Sequence, residues 1–397
     1  MIQHGSLIDI MPSRLDGIRD AIAGYRETGV PLISLDGNML EPAGAGSDIG
    51  MFYFVPKIST AFNLAPAAAT ETFLLGVLVI GLLTGGIACF LLYRRWAARA
   101  VAGFALGIIG IVAFLNGDQY VIAPAIAVAI VPLFLYLYHQ RVRDRDLGLF
   151  LLISGLVMGL AHVTRAHSAT AVALFLGVVL LLSAERPLVR RWLLLLPLAA
   201  GALVGPLFFH HLVGRRDAYL SEQRPDYRVV APTHVLWHSV YIGFAYIDNP
   251  HVQAYRDEVA MARVEAVAPG TAYVSREYEH VLRAEVIRLA FRDPAFVVKT
   301  LFAKLGVVCL YLLTFANIGL LAAVRRPNSR PIEVAFWVAL AFSSLHGLLV
   351  LPASSYLSGF IAFAALYGVV SWNAILEASP RMRFWDVLYL KSRLGTE

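Results

Sequence analysis

From residue 73 onward the chain alternates between long apolar runs and short charged connections. Apolar runs of about 17 to 25 residues are read as transmembrane helices. The pattern predicts about nine of them, over 73–93, 101–116, 120–138, 147–163, 169–183, 192–213, 306–324, 332–351 and 353–372. Two stretches break the rhythm, residues 1–71 and residues 214–293. In the first, "SRLDGIRDAIAGYRETG" sets Leu15, Ile18, Ile22 and Tyr25 at helical spacing with Gly29 as a stop. A helix with one apolar face is suited to lie along a membrane surface. In the second, "SREYEHVLRAEVIRLAFRDP" places Tyr278, Val281, Leu282, Val286 and Leu289 on one stripe, with Ser275 as N-cap and Pro294 as breaker. "AFVVKTLFAKLG" then reads as an interfacial segment that leaves Lys304 at the mouth of the seventh span.

The expected fold is therefore an all-α polytopic membrane protein with membrane-parallel helices in two non-membrane segments. Its parts are a first loop (1–71), a six-span module (72–213), a second loop (214–305), a three-span module (306–379) and a tail (380–397). Composition agrees. Of 397 residues, 58% are hydrophobic and 15% charged, where soluble domains carry about 25% charged residues. Mean hydropathy is +0.68.

Net charge is +6, and the distribution of arginine explains it better than nucleic-acid binding does. Arg94, Arg95 and Arg99 follow the first span, Arg141, Arg143 and Arg145 the third, Arg186, Arg190 and Arg191 the fifth, and Arg325, Arg326 and Arg330 the seventh. Arg381, Arg383, Lys391 and Arg393 lie in the tail, while the alternate short connections hold only Arg165. The excess of basic residues on cytoplasmic loops then puts the C-terminus in the cytoplasm and both large loops outside, in a cytoplasmic (inner) membrane. Residues 1–71 would need a preceding helix to reach that side, since Met1 to Ile10 has no signal-peptide pattern. Cys89 and Cys309 fall in apolar runs, so no zinc or disulfide pattern exists. The chain has no internal repeat, phosphate-binding glycine loop, HExxH or GxSxG.

This order of parts resembles the GT-C superfamily of polytopic membrane glycosyltransferases. The resemblance rests on a first loop with an acid and a surface helix, paired short spans, and a second loop closing with "EYEHVLRAEVIRLAFRDPAFVVKTLFAKLG". It implies transfer of a sugar from a polyprenyl-phosphate carrier to an extracytoplasmic lipid or glycan acceptor, with inversion and with a first-loop aspartate as base. The family's acid stands before the surface helix, which implies Asp16 or Asp9; the first helix of the family pattern is absent.

The residues offer their own candidates. Asp48, in "AGSDIGMFYF", sits between small residues and an aromatic run, where it serves either as general base or as the N-cap of a short helix. Asp16 is the second acid, and Asp36 in "SLDGN" suits a turn. A lipid phosphate requires cationic donors; Arg165 and His167 in "HVTRAHSAT" and Lys304 are candidates, with snorkelling as the alternative for Lys304. His210, His211, Arg215 and Arg216 crown the sixth span. His234, Trp237, His238, Tyr241, Tyr246, Asp248 and Asn249 suit either a sugar site or an interfacial belt. Ser343, Ser344, His346, Ser354, Ser355 and Tyr356 gather at one turn, as structural hydrogen-bonding groups. No cofactor is implied by a motif; a divalent cation on Asp48, Asp36 or Asp248 lacks any ligand spacing.

Two other readings compete with the enzyme. A transporter or flippase of a lipid-linked saccharide would show ionisable residues deep in several spans or helices broken at mid-membrane. An inactive membrane scaffold would leave Asp48 and Asp16 apart from Arg165 and Lys304.

Overall fold

The computed structural model describes residues 10–36, 39–44, 48–184, 186–229, 236–324 and 330–378. Asp9, His234, Arg325, Arg326 and the tail 380–397 lie outside them. The chain is an all-α polytopic membrane protein: among the described residues eight helices are long and apolar enough to cross a membrane. They are α3 (Pro66–Leu92), α4 (Trp96–Asn116), α5 (Ile122–His139, with the helical turn that precedes it), α6 (Asp144–Thr164), α8 (Leu188–Gln223), α12 (Pro294–Ala316), α14 (Arg330–Leu349) and α15 (Ser358–Ala378). A shorter apolar helix, α7 (Thr170–Leu182), packs against α14. Outward-facing Ile80, Leu83, Phe104, Leu115, Ile153, Leu203 and Leu313 give the bundle an apolar exterior. The central member is α15, 78% buried along its apolar window against 17% for α12.

Ahead of the bundle, α1 (Pro12–Thr28) opens with proline in its first turn and closes on left-handed Gly29. Leu15, Ile18 and Ile22 are buried, as the stripe predicts, while Tyr25 is only half-buried. A small hairpin follows, β1 (Ile33–Asp36) antiparallel to β2 (Met39–Pro42), with Ile33 opposite Pro42. Then comes α2 (Ile49–Phe62). The apolar run after Asp48 is the start of α2, and Met51 and Val55 are fully enclosed beneath α1. Residues 236–292 form a second cap of α9 (Leu236–Gly243), α10 (Asp257–Val267) and α11 (Arg276–Arg292). Ser275 Oγ accepts from Tyr278 N at 3.1 Å, and Tyr278, Leu282, Val286 and Leu289 are buried against α9 and α10. Both caps sit at the same end of the bundle, where the turns at 117–121, 165–169 and 350–357 converge. There Ser354 Oγ donates to Asn116 Oδ1 at 2.6 Å and Asn116 Nδ2 donates to Ser354 O at 3.1 Å.

Helix ends depart from the expected spans in an instructive way. The run 192–213 is only part of α8, which is 36 residues long and ends at Gln223 despite Pro197 and Pro206. The expected boundary at 213 therefore falls inside a helix. Nor is 294–305 a separate interfacial segment: it is the first half of α12, started by Pro294 and by Asp293, whose carboxylate accepts from Phe296 N at 3.0 Å. The helix instead stops at Asn317 (φ 36°) and resumes as α13 (Ile318–Val324). Gly319 there abuts Gly368, so the break lies against the middle of α15.

Helix contact in a bilayer depends on small residues that let backbones approach. The tightest pair is α6 with α8, where Gly155 and Gly159 face Gly201 and Gly205. A Cβ at Gly155 would lie 2.2 Å from Leu198 O, and one at Gly201 would lie 2.2 Å from Leu152 O. Gly155→Leu or Gly201→Leu should lower stability by about 1–3 kcal/mol or more. Gly177→Leu, with nothing within 4 Å of its added Cβ, should leave it unchanged; thermal unfolding of the three variants in detergent makes the comparison.

Candidate functional site

The cap end holds a line of charges that the fold brings together from distant parts of the chain. It starts at the N-terminus of α2. Gly50 lies so close to the end of α6 that a Cβ there would be 2.6 Å from Thr164 Oγ1 and 3.0 Å from Thr164 Cα. Asp48 stands two residues before this contact and Arg165 one residue after it. Asp48 occupies the N-cap position of α2 but makes no side-chain cap bond. Its carboxylate accepts instead from Arg14 Nη1 at 2.6 Å. Arg14 also donates from Nε to Asp118 Oδ2 at 2.9 Å. Gln119, in the amide orientation that satisfies both groups, accepts from Arg14 Nη2 at 2.9 Å and donates to Thr164 O at 3.3 Å.

Arg14 is thus buried between two carboxylates. The Asp118 side chain is 3% exposed and that of Asp48 is 22% exposed, so only Asp48 has an opening to solvent. Burial pulls the Arg14 pKa down, but Asp118 and Asp48 outweigh it and raise the pKa above the ordinary arginine value. Asp118 has φ +41°, a left-handed conformation unusual for a residue other than glycine. Its Oδ1 accepts from Gln119 N at 2.8 Å, which fixes the turn between α4 and α5.

Arg165 continues the line. Its guanidinium carbon stands 3.8 Å from the Tyr120 ring centroid, while Nη1 is buried without a hydrogen-bond partner. Burial lowers the Arg165 pKa, opposed by Tyr120, Tyr356 and Asp118 and reinforced by Arg14. The Tyr120 and Tyr356 rings meet edge to face at 5.6 Å, and Tyr356 shares a 2.9 Å hydrogen bond with Tyr255 of the second cap. Burial pushes Tyr356 up to about 12, so it remains a neutral hydroxyl. Beside Arg165 is a pocket of about 40 Å3 that also touches His167, Ser343, His346, Tyr356 and Ser358. One water requires about 10–15 Å3, so the pocket has room for a small group only, and Phe342, Phe360 and Phe363 make part of its wall apolar. His167, at φ +62°, places its ring 5.7 Å from His162 and 6.2 Å from His346.

The remaining expected site residues lie elsewhere. Asp16 is 65% exposed and paired with Arg19 at 2.9 Å, away from this cluster. Lys304 is buried, donates to Val350 O at 2.8 Å, and stands 6.0 Å from the Phe244 and Tyr246 rings; it does not line the Arg165 pocket. Snorkelling is excluded for Lys304, because the ammonium is enclosed. His210, His211 and Arg215 are exposed on α8. Arg216 is buried and spent on Asp217 at 2.7 Å. His238 is fixed inside the second cap by Tyr278 Oη at 2.8 Å and Asp257 Oδ1 at 3.0 Å. Asn249 folds its own loop, donating to Phe244, Ile247 and Val252 carbonyls, and Asp248 is exposed. Among the described residues no group of three His, Cys, Asp or Glu is placed to hold a metal ion.

Sequence reading missed Arg14, Asp118, Tyr120 and Tyr255. The one available signal was a charged residue, Asp118, in a short connection between two apolar runs. Comparison with protein-family models, curated proteins and solved structures gives no match.

Breaking a buried pair by removing one partner costs about 3–5 kcal/mol, because a charge is left without compensation. Arg14→Ala should incur a loss of that size through Asp118, and Asp118→Asn in the same chain should recover most of it. Detergent unfolding of the single and double variants measures this; equal losses would mean that Asp118 does not depend on Arg14.

Proposed function

We propose that the chain is an integral membrane glycosyltransferase of GT-C type. In this reading it moves a sugar from a polyprenyl-phosphate carrier to an extracytoplasmic lipid or glycan acceptor. The observation that carries it is Arg165: among the described residues its buried Nη1 has no hydrogen-bond partner, and the residue lines a small pocket beside the turn that Gly50, two residues after Asp48, touches at Thr164. An unpaired buried donor is destabilising on its own and is accounted for if an anion completes it. A phosphate oxygen is the natural complement of a guanidinium.

The chemistry divides between the two groups. Asp48, held by Arg14, takes the proton of the acceptor hydroxyl as that oxygen bonds to the anomeric carbon. The anomeric carbon–oxygen bond to phosphate breaks, and the polyprenyl phosphate departs with the electron pair while Arg165 stabilises its charge. Attack opposite the leaving group inverts the configuration. The membrane face bearing both caps is then the extracytoplasmic one, and the arginine-rich end faces the cytoplasm.

One observation favours transport instead, the α12–α13 break at Asn317 against the middle of α15. Interrupted helices line the substrate path in transporters. A single experiment separates the two. Protein in liposomes is supplied with labelled polyprenyl-phosphate sugars and envelope extract as acceptor, and release of polyprenyl phosphate is followed. Transfer predicts label in an acceptor, with Asp48→Asn slowing it by about 10²–10⁴-fold, the range of general-base catalysis, in a protein that unfolds at the same temperature. Movement of the intact lipid-linked sugar between leaflets without release would sink the enzyme reading.

A further inference from the structure

A second cavity lies on another face of α1. It measures about 330 Å3 and runs between α1 and the α2–α3 junction, lined by Arg19, Ile22, Ala23 and Arg26 on one side and Ser59 and Asn63 on the other. Ligand pockets run from about 300 to 1,000 Å3. The four α1 residues recur at helical spacing and form one stripe, cation–apolar–apolar–cation. No residue is shared with the Arg165 pocket.

Among the described residues that line it, the charge has one sign, with Asp16 beside Arg19 outside the lining. Its lining residues include two arginines and no carboxylate. Neither guanidinium is used up. Arg19 is engaged by Asp16 in an exposed pair, and Arg26 Nη2 reaches Ser59 Oγ at 3.3 Å. A guanidinium offers five donors, so both keep several for a ligand. The surroundings are those of a membrane boundary. Phe62, next to Asn63, is 71% exposed. Lys57 holds its ammonium 4.8 Å from the Tyr53 ring and 5.8 Å from the Tyr25 ring. Pro66, also in the cavity wall, is the first residue of the spanning helix α3.

We propose that this cavity binds the phosphate of an anionic phospholipid headgroup, forked between Arg19 and Arg26, with its acyl chains continuing alongside α3. The ligand chemistry is that of an oxyanion. A lipid is favoured over free phosphate because the cavity pairs cations with Ile22 and Ala23 and opens where a helix enters the bilayer. Such a lipid would clamp α1 to the α2–α3 junction, and so steady the element that carries Arg14. This site stands apart from any transfer activity.

The test is native mass spectrometry of the full chain released from nanodiscs of phosphatidylglycerol or of phosphatidylcholine, without and with inorganic phosphate. Arg19→Gln/Arg26→Gln removes the charge, and Ala23→Trp fills the cavity while keeping both arginines. The expected result is that the unmodified chain retains one phosphatidylglycerol more than either variant. Phosphatidylcholine retention and unfolding temperature in phosphatidylcholine should be unchanged, and inorganic phosphate should not displace the retained lipid. Equal retention by all three proteins overturns the site. Displacement by inorganic phosphate overturns the lipid in favour of a free oxyanion.

Discussion

Arg14 is the contact on which the cap end depends. A guanidinium and a carboxylate taken out of water are costly unless geometry and additional hydrogen bonds compensate. Here each nitrogen of the Arg14 guanidinium has a partner, Asp118 for Nε, Asp48 for Nη1 and Gln119 for Nη2. Because these acceptors belong to two parts of the chain and Arg14 to a third, satisfying one arginine ties α1, the start of α2 and the α4–α5 turn together. The left-handed backbone of Asp118 is sustained by this over-determination. Arg165 is the contrast, since its Nη1 finds no hydrogen-bond partner among the described residues. The two neighbouring arginines thus differ: each nitrogen of Arg14 has a partner, and one nitrogen of Arg165 has none among the described residues.

Beneath the caps, a different physics holds the bundle. Apolar surface gains little by facing apolar surface when lipid is the alternative, so close backbone approach decides which helices meet. The glycines of α6 and α8, and those of α3 against α5, permit such approach: a Cβ at Gly85 would lie 2.6 Å from Val128 O. These contacts set the positions of the α6–α7 and α4–α5 turns, and through them the separation of Arg165 from Asp118. Site geometry at the cap end is therefore inherited from packing within the spans.

The spans were legible because about 20 apolar residues are needed to cross a bilayer and the chain spells out such runs. Their ends were not. Helix α8 runs past the apolar stretch into the polar "RRDAYLSEQ", which hydropathy does not read as span, and α12 starts early because Asp293 caps it and Pro294 fits its first turn. Asp48 stands at the N-cap position of α2 but does not cap with its side chain, because Arg14 Nη1, from outside the helix, takes the carboxylate. Asp118 was hidden for the same reason, its partner being 104 residues away in sequence. Asp16 is another matter. Leu15, Ile18 and Ile22 already fix the phase of α1, and that phase turns residue 16 outward; the family resemblance, which works by order of parts, carries no phase.

Lys304 bears on whether chemistry happens at the surface or passage through the middle. A lysine inside a spanning helix, enclosed and without a carboxylate, is the feature expected of a conduction path. Its partner argues otherwise. Val350 O lies just past the last residue of α14, at the cap end, and the same carbonyl is approached so closely by Gly243 that a Cβ there would sit 2.5 Å away. The ammonium is therefore held at the level of the caps, where it ties the second cap to the α14–α15 turn, and the first ten residues of α12 stand beyond that level. The charge belongs to the roof of the bundle. Of the transporter signatures the break at Asn317 is left within the apolar interior, against Gly368, whose neighbour Tyr367 donates from Oη to Glu333. A passage for a saccharide needs polar groups along its length; a site needs them at one end, which is where this chain gathers Asp48, Arg14, Asp118 and Arg165.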